Sequence, residues 1–302
     1  MISLLRIKPS KWLALLLAGL LWAASGQTVA AAEAEAPTAA ALRAKFTELA
    51  PQLANNAFGR PLYLDSTESP NRLQADIYAL VEHPFATVRE SFSDTARWCD
   101  MLILHLNTKY CRAASGKAPV VISVSIGKKT YEELSAAYPV QFSYSAKAST
   151  PEYLDVSLLA DKGPLGTSDY SIRLETVALA NGKTFLHLRY AYTYNFVARI
   201  AMQAYLATLG RGKMGFTRGA SQSGSPGAYI EGVRAAVERN TMRYYLAIDA
   251  YLGAASTPAA QQFEKRLQDW FSATELYATQ LHEVERGAYL DMKHREYLRM
   301  QQ

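Results

Sequence analysis

Cysteine and histidine are scarce in this chain, and no catalytic string survives inspection. Its 302 residues hold two cysteines, Cys99 and Cys111, and five histidines. Without a C-x-x-C spacing the two thiols do not form a thioredoxin-like redox pair. His282-Glu283-Val284-Glu285-Arg286 ends in arginine where a zincin carries its second histidine, so two imidazoles cannot reach one metal from one helical face. Gly219-Ala220-Ser221-Gln222-Ser223-Gly224 lacks the spacing of a nucleophile elbow. Gly127-Lys128-Lys129-Thr130 has no earlier glycine to build a phosphate loop. No metal site and no cofactor is expected.

What is present begins with the N-terminus. Arg6, Lys8 and Lys11 precede an uninterrupted apolar run from Trp12 to Ala24, and Ala30-Ala31-Ala32 supplies an A-x-A-like cleavage site. The pattern predicts a signal peptide over residues 1–32, hence export to the periplasm. A membrane span needs about 20 apolar residues, more than this core offers. No cysteine stands near the cleavage site, which argues against a lipoprotein. Removing the segment takes away three basic residues and leaves 29 basic against 27 acidic. The mature chain is then nearly neutral, which gives no support to a nucleic-acid partner.

Export makes a Cys99–Cys111 disulfide the natural reading of the two cysteines. In one continuous helix they would stand about 18 Å apart, far beyond the roughly 4.4–6.8 Å between Cα atoms that a bridge tolerates. The helix carrying Cys99 must therefore end before Cys111, with Asn107 to Tyr110 as the expected place.

The most informative stretch is Leu73 to Cys111, because its hydrophobic period changes in mid-course. Ala75, Ile77, Ala79 and Val81 alternate with Asp76, Tyr78, Leu80 and Glu82, as a strand covered on both faces would. His83-Pro84 ends the strand. Phe85, Val88 and Phe92 then share a helical face, and after a cap at Ser93 or Asp94 a second helix runs through Trp98, Leu102 and Leu106.

A strand followed at once by two short helices, the first opening after a proline, resembles the start of START-like (SRPBCC, polyketide-cyclase-like) domains. That resemblance extends over roughly Leu73 to Gly253. It implies an α+β helix-grip fold, in which a curved antiparallel sheet wraps a long C-terminal helix and encloses a cavity for lipids, polyketides or other apolar ligands.

The remaining chain supplies the parts. Residues 33–71 read as a solvated tether, one amphipathic helix marked by Leu42, Phe46, Leu49 and Leu53, and a turn-rich link over Pro61 to Asn71. Residues 72–253 form the expected helix-grip domain and 254–302 a helical extension. Alternating strands are expected at Val120 to Ile126, Val140 to Ala146, Tyr153 to Leu159, Tyr170 to Leu179 and Phe185 to Tyr194, with Asn181-Gly182 as a hairpin turn. Phe196 to Leu209 reads as a helix, and Lys213 to Arg218 with Ala228 to Ile230 as a further hairpin. Glu231 to Leu252 is the candidate gripped helix. The last helix, rich in arginine, glutamate and lysine, is expected to be a solvated amphipathic helix packed on the outside.

Along Phe185 to Tyr194, alternation puts Leu186, Leu188, Tyr190, Tyr192 and Tyr194 on one face and Phe185, His187 and Arg189 on the other. Tyr190, Tyr192 and Tyr194, with Tyr244 and Ile248 from the long helix, are the candidate ligand-binding residues. Such a row suits a cavity wall or an ordinary core. His105, His187 and Asp100 are the catalytic candidates. Arg234, Arg239 and Arg243 line the long helix, where they either pair with carboxylates such as Glu238 or meet an anionic head group. The expected function is periplasmic binding or transfer of an apolar small molecule or lipid. The alternatives are an enzyme on the same scaffold, such as a cyclase, hydratase or hydrolase, and an envelope interaction protein. A transient membrane or envelope-protein contact would accompany the first.

Overall fold

The structure is a computed structural model that describes residues 38–114, 120–208, 212–220 and 227–302. The expected signal peptide lies outside the described residues, as does most of the loop around Ser221. Eight strands make one antiparallel sheet in the spatial order β1-β2-β8-β7-β6-β5-β4-β3. They are β1 (Leu62–Ser69), β2 (Arg72–Val81), β3 (Thr108–Ala113), β4 (Val120–Ile126), β5 (Tyr138–Ser149), β6 (Tyr153–Lys162), β7 (Thr167–Ala178) and β8 (Thr184–Tyr194). The helices are α1 (Ala39–Ala54), α2 (Phe85–Ser93), α3 (Thr95–Leu102), α4 (Phe196–Ala207), α5 (Gly232–Gly253), α6 (Ala259–Glu275), α7 (Ala278–Leu281) and α8 (Arg286–Met300).

Local chemistry sets several of these boundaries. Pro84 separates β2 from α2, and the Asp94 carboxylate caps α3 by accepting from Ala96 N at 2.9 Å. Gly182 takes a positive φ of 76° in the β7–β8 turn, a conformation glycine adopts without a Cβ clash. β8 then returns to pair with β2 along its whole length, Leu73 facing Tyr192 and Ile77 facing Leu188.

Facing pairs place Leu73, Ala75 and Ile77 on the inner side with Leu174, Leu188 and Tyr190. Against this side lies α5, whose Val237, Met242, Leu246, Ile248 and Leu252 have no solvent exposure. Full burial of each such side chain stabilises by about 1.5–3 kcal/mol. The sheet grips α5, and the fold is a helix grip. On the outer side, α1 lays Leu42, Leu49 and Leu53 over Tyr153, Val177 and Phe185.

Five expectations need correction. Pro61 to Asn71, read as turns, contains β1, whose buried Leu62, Leu64 and Ser66 alternate with more exposed Tyr63, Asp65 and Thr67. An edge strand needs only one apolar face, so its composition imitates a loop. The sheet therefore begins before residue 72. Second, α3 stops at Leu102 rather than near Asn107, because Leu104 N and His105 N turn back to Met101 O and Leu102 O and deliver the chain to β3. Cys111 sits on that strand and is bonded to Cys99, with the Cα atoms 5.2 Å apart.

Third, the hairpin expected beyond Lys213 is present but short: Gly215 N, Gly219 N and Ile230 N donate to Ile230 O, Ala228 O and Thr217 O around the antiparallel bridge Arg218–Tyr229, without extending into full strands. Fourth, Arg234 does not pair directly with Glu238. Its Nε donates to Ser66 Oγ, which itself donates to Glu238, and Glu238 also accepts from the backbone N–H groups of Phe216 and Thr217. Finally, α8 is packed on the body as expected, but its docking buries charged side chains expected to be solvated. Lys293, fully buried, donates to His105 O at 2.7 Å, Thr108 O at 2.9 Å and Glu296 at 2.7 Å, while Lys109 meets the same carboxylate at 3.1 Å.

Candidate functional site

Two clefts adjoin between the inner face of the sheet and the first half of α5. The smaller, about 300 Å³, is walled by Tyr170, Tyr190 and Tyr192 of the sheet and by Ala198, Ala201 and Met202 of α4. The larger, about 680 Å³, is bounded by Asn107, Ile126, Lys129, Tyr138, Arg239 and Arg243, among others. Pro164, Leu165 and Asn240 border both. Leu165 projects from the β6–β7 connection with 65% of its surface exposed and a φ of 54°. An L-residue held in that region at the mouth of a cavity is a local cost of about 1–2 kcal/mol.

The tyrosines form an aromatic bank. Tyr170 stacks on Tyr192 with ring centroids 5.1 Å apart, Tyr190 lies 5.6 Å from Tyr192, and Tyr190 meets Tyr244 of α5 at 5.3 Å. Burial, reinforced by the neighbouring phenols, raises the hydroxyl pKa values of Tyr190 and Tyr192. They stay protonated, so they offer apolar faces and neutral hydrogen-bonding groups rather than bases.

The remaining candidates fall elsewhere. Tyr194 lines a separate surface cleft with Asn71, Asn195 and Arg199, and its hydroxyl donates to Ser69 O at 3.2 Å. Tyr244 stands behind Tyr190, and Ile248 is fully buried in the core; neither borders the two clefts. Their places follow from helical spacing, which marks the buried side of α5 without saying where along it a void opens.

His105, His187 and Asp100 are not brought together. The His105 ring stacks on Tyr244 at 4.7 Å and its Nδ1 accepts from Asn107 N at 3.1 Å. Burial first, then the positive charges of Arg243, Lys293, Lys129 and Lys109, hold its pKa well below the ordinary imidazole value. It is neutral. His187 lies on the outer side, between Asp76 at 2.7 Å and Glu175 at 3.0 Å, with Tyr78 stacked on its ring at 4.2 Å. Burial works against its charged form, but those two carboxylates outweigh it and raise its pKa. Asp100 pairs with Arg266 at 3.0 Å. No histidine borders either cleft among the described residues, and Glu132 is the one bordering carboxylate.

Sequence reasoning missed Leu165, Asn240 and Lys129. Gly163-Pro164-Leu165-Gly166 reads as a tight turn, and only the position of that turn over α5 makes Leu165 part of a wall. Among the described residues no cluster of histidine, cysteine, aspartate and glutamate could hold a metal ion, and no helix is long and apolar enough to cross a membrane.

No protein-family model matches the chain, and no curated protein matches it in sequence. Solved structures align with it at low identity. Norcoclaurine synthase from Thalictrum flavum aligns with 8% identity over 48% of this chain and 91% of its own, at a TM-score of 0.34. Human StAR-related lipid transfer protein 5 aligns with 10% identity over 56% and 89%, at 0.31. The Zhui aromatase/cyclase from Streptomyces sp. R1128 aligns with 10% identity over 68% and 94%, at 0.31. The functional reading rests on the cleft itself.

Proposed function

We propose that this chain is an exported carrier that binds an apolar, lipid-like or polyketide-like small molecule in the paired clefts between sheet and α5. The observation that carries the reading is an accessible volume of about 680 Å³ adjoining one of about 300 Å³, the size range of small-molecule sites. Tyrosine faces supply most of the contact at one end, and their neutral hydroxyls suit a guest with an apolar body and a few oxygens. Around the clefts, Tyr190 and Tyr192 are the ligand-contacting members of the aromatic row, with Tyr244 as their support.

Residues 1–32 are removed on export to the periplasm, where the Cys99–Cys111 bond is kept. Residues 72–253 then carry the binding domain, with residues 33–71 and 254–302 packed onto it or leading to it. On α4, Phe196 and Ile200 are exposed while Ala198 and Met202 border the smaller cleft. That outward pair suits a brief contact with a membrane or an envelope protein during loading. Native mass spectrometry of the chain purified from the cell envelope tests the proposal. An unmodified small molecule retained at one per chain supports it, and a chain that arrives empty and takes up no lipid extract refutes it. N-terminal sequencing of the same material should begin near Glu33, and an intact Met1 would refute export by cleavage.

A further inference from the structure

Another cleft, of about 390 Å³, opens where α2, α3, α5 and α6 meet, and it shares no bordering residue with the paired clefts. Its lining is polar and deeply set. Ser91, Tyr251 and Arg266 border it while only 4%, 6% and 6% exposed. The Arg266 guanidinium lies over the Tyr251 ring at 4.2 Å and donates to Asp100 at 3.0 Å and to Gln262 at 2.7 Å. At the rim, Arg97 donates to Glu90 at 3.0 Å and pairs with Asp94 at 3.4 Å. The charged groups that border this cleft are thus paired. The hydroxyls of Ser91 and Tyr251 are not: each opens on the cleft, and neither has a hydrogen-bond partner among the described residues. A buried hydroxyl ordinarily finds a partner, because leaving it without one forfeits its hydration with nothing in exchange. Two of them, converging with a buried guanidinium on one cleft of small-molecule size, call for oxygens from outside the chain.

We infer that this cleft is a second binding site, for a neutral sugar: hydroxyls of the guest exchange hydrogen bonds with Ser91 and Tyr251, and Arg266 donates to its oxygens. A sugar hydroxyl is donor and acceptor at once, as are the two unpartnered hydroxyls it meets. A guest with net charge would compete with Asp100 for Arg266 or with Glu90 for Arg97. An apolar guest would leave the hydroxyls desolvated and unpaired. The site stands apart from the sheet–α5 clefts and brings α6, through Gln262 and Arg266, into recognition.

Saturation-transfer NMR on the mature full chain tests this with glucose, galactose and mannose, each beside its uronate and its amino sugar. At least one neutral sugar should bind, about tenfold more tightly than its charged relatives, the scale of one charge-assisted hydrogen bond lost. Ser91→Ala and Tyr251→Phe should each weaken that sugar about fivefold. Both variants should melt within a few degrees of the wild type, because neither hydroxyl has a partner inside the protein to lose. Both should also bind the fluorescent fatty acid cis-parinaric acid, a probe of the paired clefts, as the wild type does. Tighter binding of the matching disaccharide would support the site as a seat for the end of a glycan, and equal or weaker binding as a seat for the free sugar. No binding by any of the three sugars at tens of millimolar overturns the inference. So does a sugar whose affinity both variants leave unchanged, or a uronate that binds more tightly than its neutral parent.

Discussion

His187 and Tyr190 lie three residues apart on β8, on opposite sides of the sheet. On the outer side, where α1 packs, Asp76, Asp155 and Glu175 meet His187, Arg173 and Arg189 in ion pairs of 2.7–3.4 Å. Carboxylates and cations match in number there, and ring stacking of Tyr78 on His187 covers the centre. On the inner side the tyrosines border open volume, with Lys129, Arg239 and Arg243 at its far end. A balanced, hydrogen-bonded network specifies structure. Side chains that border a void leave room for something that arrives from outside. A histidine between two carboxylates, which from sequence resembles a catalytic group, thus belongs to the scaffold.

Substitutions can break this contrast, and the largest effect belongs to the outer side. Asp76→Ala leaves His187 and Arg189 without their shared carboxylate, and removing one member of a buried charge pair costs roughly 3–5 kcal/mol. Urea unfolding should show that loss, while the remaining folded protein binds ligand with unchanged affinity. Next in size, replacing Cys99 and Cys111 together by serine should cost about 3 kcal/mol for a loop of this length, read from the same unfolding curves with and without reductant. Tyr192→Ala should do the reverse of Asp76→Ala. Affinity for the apolar probe should fall about tenfold, or ~1.4 kcal/mol, with a smaller loss of stability because the side chain already borders a void.

A pH profile sharpens the same comparison. The raised pKa of His187 means that its stabilisation is fully present below the ordinary imidazole pKa of about 6.5 and fades as pH rises through the folded value. For Asp76 and Glu175 the hydrogen bonds and charge of His187 overcome burial and lower the pKa. Their stabilisation is present above the ordinary carboxylate range and is lost as pH falls through the folded values. His187→Gln should therefore flatten the alkaline decline of Tm against pH. The smallest effect expected is at Leu165, where Leu165→Gly relieves a left-handed conformation worth about 1 kcal/mol and removes part of a cleft wall.

Much of the scaffold is legible in the sequence because period-two alternation reports which residues share a face. β2 and β4 to β8 follow from it, as does the separation of His187 from Tyr190, while α2 and α5 follow from apolar residues three or four apart. The two edge strands do not. β1 carries Asp65, Thr67 and Glu68, and β3 carries Lys109, whose ammonium is satisfied by Leu106 O, Thr130 O and Glu296. Burial of that lysine depends on a partner 187 positions away, a relation that no local pattern displays. The same reason hides the docking of α8 through Lys293 and the gathering of Lys129, Lys213 and Arg243 around Glu283. Tyr190 and Tyr192 are readable as a pair on one face, but whether they meet a void or a packed core depends on Leu165 and α4, which arrive from other parts of the chain.

The most direct test of the central claim fills the cleft without touching its charges. Ala236 borders the larger cleft on α5, and Ala236→Trp should occupy it. Titrating cis-parinaric acid into the two chains, the wild type should saturate at one per chain while Ala236→Trp binds none and keeps its Tm within a few degrees. Equal binding by the plugged chain would place the ligand elsewhere and contradict the account.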